Sequence, residues 1–124
     1  MQNIIKRFQA NSVIFKQGDL GTEMFVVASG EVEIFTLKND THKTIATLKQ
    51  GEMFGEMALV ASDRSRSTYA KATQDDTVLV CINESRFVYL VSQQPAFALS
   101  VIRTIAQRLS KLNDLPELVR KIPE

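Results

Sequence analysis

The residues of this chain best placed to do chemistry lie between Gly51 and Ala72, in the run GEMFGEMALVASDRSRSTYAKA. Gly51 and Gly55 bracket a tight turn that contains Phe54, and Glu56-Met57-Ala58-Leu59-Val60 can form a short helix. The first N–H groups of a helix have no intrahelical acceptor and therefore attract anions. Arg66 follows Glu56 by ten residues and is itself followed by Ser67, so a guanidinium and a hydroxyl can converge on that anion from the next strand. The set reads as a phosphate cradle. Glu56 is its odd member, because a carboxylate beside a bound anion is repulsive unless it has a donor of its own to satisfy. A ribose 2′-hydroxyl is such a donor. In a 3′,5′-cyclic nucleotide the 3′ oxygen is tied up in the phosphodiester and the 2′-OH stays free, so one Glu and one Arg can read the two ends of that ring.

Such a site needs a scaffold that brings two strand ends and a turn together. Over about the first eighty residues the chain reads as short strands punctuated by Gly, Asn and Asp, the spacing of a closed or sandwiched antiparallel sheet. Strands are predicted at Ser12 to Phe15, Glu23 to Ala28, Glu31 to Lys38, Thr41 to Leu48, Thr68 to Lys71 and Thr77 to Ile82. Asn39-Asp40 between two of them is hairpin chemistry, since short Asx side chains tolerate left-handed backbone. From Asn83, a good N-cap, the pattern turns helical for about two turns. Pro95 then opens a longer helix to about Leu112, in which Ala98, Ile102, Ile105, Leu109 and Leu112 form an apolar stripe. That stripe fits packing on the sheet and pairing with a second helix equally well.

Composition limits what else the chain can be. Its 124 residues, 44% hydrophobic and 23% charged, suit one globular domain over residues 1–124. The net charge of +1 supplies no general field for DNA, RNA or an acidic membrane, and direct nucleic-acid binding is not expected. The longest apolar runs, such as Val78 to Ile82, are far too short to span a bilayer, and Met1 to Ala10 does not read as an export signal, which places the protein in the cytoplasm. The single His42, read as a solvated turn residue, and the single Cys81, read as core, exclude a disulfide, a His-rich metal cage and a Ser-His-Asp set. Neither a metal nor a cofactor is expected, and an enzyme is not.

The residues Phe54-Gly55-Glu56-Met57-Ala58-Leu59, with Arg66-Ser67 and Ala72 six residues after Arg66, resemble the phosphate-binding cassette of the cyclic nucleotide-binding domain family, whose members include the catabolite activator protein, kinase regulatory subunits and cyclic nucleotide-gated channels. Val13 to Asp19 and Phe25 to Val32 resemble that family's earlier strands, so the likeness covers nearly the whole chain. It implies a mostly β fold, an antiparallel β-roll of jelly-roll type with a short N-terminal helical segment and a C-terminal lid helix. Residues 1–82 then hold the N-terminal segment and the roll, with the cassette at 54–69; 83–112 hold the helices and 113–124 a tail.

Carried onto this chain, the likeness implies backbone contacts to ligand from Gly55, Met57 and Ala58, a ribose contact from Glu56, and phosphate contacts from Arg66 and Ser67, with Thr68 in the same cassette. Leu112 and Asn113 resemble positions that reach the purine. The family's usual Pro before the Arg is Ser65 here, which leaves Arg64 as a competitor to Arg66; the register to Ala72 favours Arg66. Ser67 stands where guanine-preferring members often carry Thr, so cAMP is favoured over cGMP. The expected function is a regulatory sensor that transmits binding through its last helix to a partner protein or a second copy. The alternative is an interaction or scaffold domain of the same fold without ligand, in which Glu56 and Arg66 form an internal ion pair.

Overall fold

The computed structural model describes residues 4–60 and 64–111. In chain order its elements are β1 (Ile5–Phe8), β2 (Val13–Phe15), β3 (Glu23–Ser29), β4 (Val32–Lys38), β5 (Thr41–Leu48), β6 (Met53–Phe54), α1 (Met57–Val60), β7 (Tyr69–Ala72), β8 (Thr77–Asn83), α2 (Glu84–Gln93) and α3 (Pro95–Lys111). The strands form two four-stranded sheets, in the orders β1-β8-β3-β6 and β2-β7-β4-β5, with antiparallel pairing throughout. This is the expected β-roll with C-terminal helices.

Alternation along the strands explains the layering. In β3, Phe25 and Val27 face the second sheet, while Met24 and Val26 face the helices; in β8, Leu79 and Cys81 oppose Val80 and Ile82 in the same way. The first sheet is therefore apolar on both faces, which is why Val78 to Ile82 reads as one unbroken apolar run. Between the sheets lies a core of Phe15, Phe25, Val27, Val32, Ile34, Leu48, Phe54, Leu79 and Cys81. On the outer face, Met24, Met53, Ile82 and Val101 pack with Phe87, Leu90 and Phe97 of the helices.

Local signals hold where they were strongest. Asn39 and Asp40 take φ values of 52° and 62°, the left-handed pair of a two-residue hairpin between Lys38 and Thr41. The Asn83 side chain caps α2 by accepting from the Arg86 amide at 2.9 Å, and Pro95 begins α3.

Three expectations need correction. The N-terminal segment, which the resemblance implied to be helical, is a strand over the described residues 5–8: the edge of β8 offers a ladder, and β1 takes it. His42 lies within β5, not in a turn; its ring stacks on Phe35 at 4.4 Å and its Nε2 donates to Glu33 at 2.9 Å. The face of α3 packed at home runs through Phe97 and Val101, one position ahead of the stripe, and leaves Ile102 60% and Leu99 47% exposed. Leu112 lies outside the described residues. The short strand β6 also had no sequence signal of its own.

Leu79 is fully buried between the sheets. Leu79→Ala should lower unfolding stability by roughly 2–5 kcal/mol, seen as a fall in the urea midpoint at constant slope; an unchanged midpoint would contradict this packing. On the outer face of the second sheet, burial pushes the Glu33 carboxyl up, but hydrogen bonds from Thr44 and His42 and the charges of His42 and Lys71 outweigh it and hold the group below its ordinary 4.5. A depressed carboxylate stabilises the fold above its unfolded pKa, and that contribution is lost as pH falls through the folded value. The stability gap between the native chain and Glu33→Gln should accordingly close as pH drops below about 4.5; a gap independent of pH would assign it to shape instead of charge.

Candidate functional site

Arg66 is fixed first through its backbone. Its N–H donates to the Asp19 carbonyl at 2.7 Å and its carbonyl accepts from Gly18 at 2.8 Å, while the Gly21 amide bonds to the Arg64 carbonyl at 2.9 Å and Leu20 bridges to Ser65. The turn after β2 is thereby laced to the chain entering β7. The side chain then turns into the roll, where it is only 8% exposed. Its guanidinium lies over the Phe15 ring at 4.3 Å and near the Phe25 ring at 5.6 Å. Nη1 donates to the Gly55 carbonyl at 2.9 Å and Nη2 to the Glu23 carbonyl at 2.7 Å. Nε is buried without a hydrogen-bond partner.

Burial draws the Arg66 pKa down, and the carboxylates of Glu23, Asp19 and Glu56 draw it back up. An arginine stays charged even so. The result is a desolvated cation whose Nε–H has no partner, flanked by acidic groups that offset part of its burial.

Two glycines make room for it. A Cβ on Gly21 would stand 2.4 Å from Cζ and Nε of Arg66, and one on Gly55 would stand 2.9 Å from Nη1, at a backbone φ of +76° that side chains rarely adopt. Gly55 was expected to serve the ligand through its backbone; the structure shows its carbonyl serving the arginine.

The predicted cassette residues Gly55, Glu56, Met57, Ala58, Arg66, Ser67 and Thr68 all line one cavity of about 280 Å³. Glu56 is buried at 2% exposure immediately before the single turn of α1, whereas Met57 stands half-exposed at the mouth. The Ala58 amide, expected to be open to an anion, donates to the Gly55 carbonyl at 3.2 Å. The rival Arg64 is exposed and pairs with Glu84 at 3.6 Å. Leu112 and Asn113 lie outside the described residues, and their expected contacts with them.

Sequence reading missed the remaining walls: Phe15 beside the cation, and Ile34, Thr36 and Ile45 from the facing strands. Alternation along β4 could have placed Ile34 and Thr36 on the inner face. Nothing local marked Gly21 or the Glu23 carbonyl as supports for an arginine more than forty residues away. The finished cavity combines an anion-seeking donor, a carboxylate and an apolar wall, which suits a small anionic molecule with a hydroxyl and a flat apolar part. Arg66 is the cation among the residues that line this cavity.

Comparison with known proteins agrees. The family model for the cyclic nucleotide-binding domain matches residues 5–94. The cyclic AMP receptor protein of Thermus thermophilus is 38% identical over 97 residues, covering 77% of this chain and 44% of that protein. The crystal structure of the Thermus thermophilus catabolite activator protein superposes with a TM-score of 0.77 at 32% identity, covering 94% of this chain and 54% of that one. A structure from work on a cyclic-GMP-dependent signalling pathway in bacterial phytopathogenesis gives a TM-score of 0.71 at 29% identity, covering 86% and 84%. The chain spans about half the length of the Thermus protein it matches. With the cassette assembled around a buried Arg66 and the family model matched over residues 5–94, the chain belongs to the cyclic nucleotide-binding domain family.

Proposed function

We propose that this domain binds a 3′,5′-cyclic nucleotide, cAMP in preference to cGMP, and passes binding on through α3 as a regulatory module without chemistry of its own. The observation that carries the reading is the buried guanidinium at the cavity wall with Nε unpartnered. In this reading Arg66 and the Ser67 hydroxyl take the cyclic phosphate, Glu56 accepts from the ribose 2′-OH, and Gly55, Met57 and Ala58 hold the backbone around the ring. The base lies along Ile34 and Ile45. Preference for cAMP draws support from Ser67 and from the 38% identity to a cyclic AMP receptor protein.

The route to α3 follows from β6. Phe54 faces inward and lines the cavity, while its neighbour Met53 faces outward and packs with Val101 and Phe97 of α3 and Leu59 of α1. A shift of the cassette therefore reaches the last helix through one alternating pair. A ligand moves such an equilibrium only by its difference in affinity between the two arrangements. The exposed Leu99 and Ile102 of α3 are the face offered to a second copy or a partner protein. No helix among the described residues is long and apolar enough to cross a membrane; a cytoplasmic site of action completes the proposal.

Titration calorimetry with cAMP and cGMP tests it. The native domain should bind cAMP more tightly, and at a hundred times Kd the ligand should add about 2.7 kcal/mol of stability. Arg66→Ala removes a charge-assisted contact and should weaken both nucleotides by roughly tenfold or more; Glu56→Ala should weaken both as well. Gly21→Ala should also weaken both, although Gly21 is absent from the cavity wall, because the guanidinium must leave its two carbonyls. No heat and no thermal shift with either nucleotide would make this a ligand-free interaction domain of the same fold.

A further inference from the structure

Resting on that reading, we infer that the hydroxyls of Thr36 and Thr68 read the polar edge of the base at its 6-position, and so favour a base that carries a polar group there. The argument begins with strand register. Ile34 pairs with Ala70 and Phe35 with Tyr69 across β4 and β7, and Thr36 and the bend residue Thr68 follow where this ladder ends. Ile34 and Ala70 face the core, and two residues after Ile34 the alternation of β4 returns Thr36 to that inner face, while Thr68 lies two residues before Ala70 in the bend that enters β7. Both threonines accordingly line the cavity. Sharing one cavity of about 280 Å³, the two hydroxyls can address atoms of one ligand.

The rest of this wall is apolar. Inward positions on β4 and β5 are otherwise Val32, Ile34, Ile45, Ala46 and Leu48, so Thr36 interrupts a wall that would close better with Val or Ile. Among the described residues neither threonine hydroxyl is hydrogen-bonded to the protein. A hydroxyl both donates and accepts, and at the rim of an apolar cavity it gains most from a ligand that supplies the missing partner. Arg66 and Ser67 are committed to the phosphate and Glu56 to the ribose, which leaves the base to this wall. Its faces meet Ile34 and Ile45, and its polar edge meets the two hydroxyls.

The test compares cAMP with the 3′,5′-cyclic monophosphate of unsubstituted purine riboside, which keeps phosphate, ribose and ring but lacks the 6-amino group. Thr36→Val and Thr68→Val preserve shape and strand propensity. Each should weaken cAMP roughly 3- to 10-fold in calorimetry and leave the purine analogue nearly unchanged, so that the preference for cAMP collapses in the double variant. Thr36→Ser should retain the preference. Unchanged cAMP affinity, or equal losses for both ligands, overturns the assignment while leaving the binding reading intact. A native domain that binds neither ligand overturns both, and Arg66→Ala separates the two cases by weakening cAMP and the analogue alike.

Discussion

A guanidinium taken out of water must be compensated by the protein or expel itself, and the arrangement around Arg66 is organised by that requirement. Two backbone carbonyls, from β3 and from the residue following β6, take two of its nitrogens. Two aromatic rings lie beside it, and two glycines stand close enough that a methyl group on either would collide with it. Neither carbonyl bond is to a carboxylate, so acidic groups act on the cation as a surrounding field and not as a closed ion pair. This is compensation short of completion. It holds the charge in place and leaves Nε without a hydrogen-bond partner.

That arrangement depends on the double-sided first sheet. β3 contributes Phe25 to the inner core, Met24 to the helical layer and the Glu23 carbonyl to the arginine, all within three consecutive residues. Alternation gives each successive side chain a different layer, and the strand carries the three together. The second sheet does the complementary work. Its inner face is apolar where it closes the core and turns polar at Thr36 and Thr68, where the cavity opens.

The parts legible in the sequence were those specified by neighbouring residues. The Asn39-Asp40 hairpin, the Asn83 cap, the Pro95 helix start and the grouping of Glu56 with Arg66 each rest on chemistry within a short span or on a family resemblance. What escaped was set by partners distant in the chain. β1 is a strand because the edge of β8 is there to receive it, β6 because Phe25 and Val26 pair with two residues that would otherwise be loop, and His42 is ordered by Phe35 and Glu33 across the hairpin. Gly21 belongs to the same class. Its spacing from Gly18 reads as a corner, and only the folded chain shows that the corner is also the floor beneath a guanidinium.

A short edge strand stands between the cavity and the helical layer. β6 is two residues long and lies at the edge of its sheet, paired to Phe25 and Val26 alone, yet it carries Phe54 into the cavity and Met53 into the helical layer. Shifting it breaks few backbone hydrogen bonds, so the resistance comes mainly from side-chain packing on its two faces. Those two packings are unequal in kind. Phe54 is fully buried and stacked against Phe25 at 5.1 Å, whereas Met53 meets α3 through Val101 and Phe97 on a helix whose neighbouring Leu99 and Ile102 remain exposed. In the proposed function, an inward pull on the cassette would meet a rigid aromatic cluster on one face of β6 and, on the other, a helix with apolar surface still to bury.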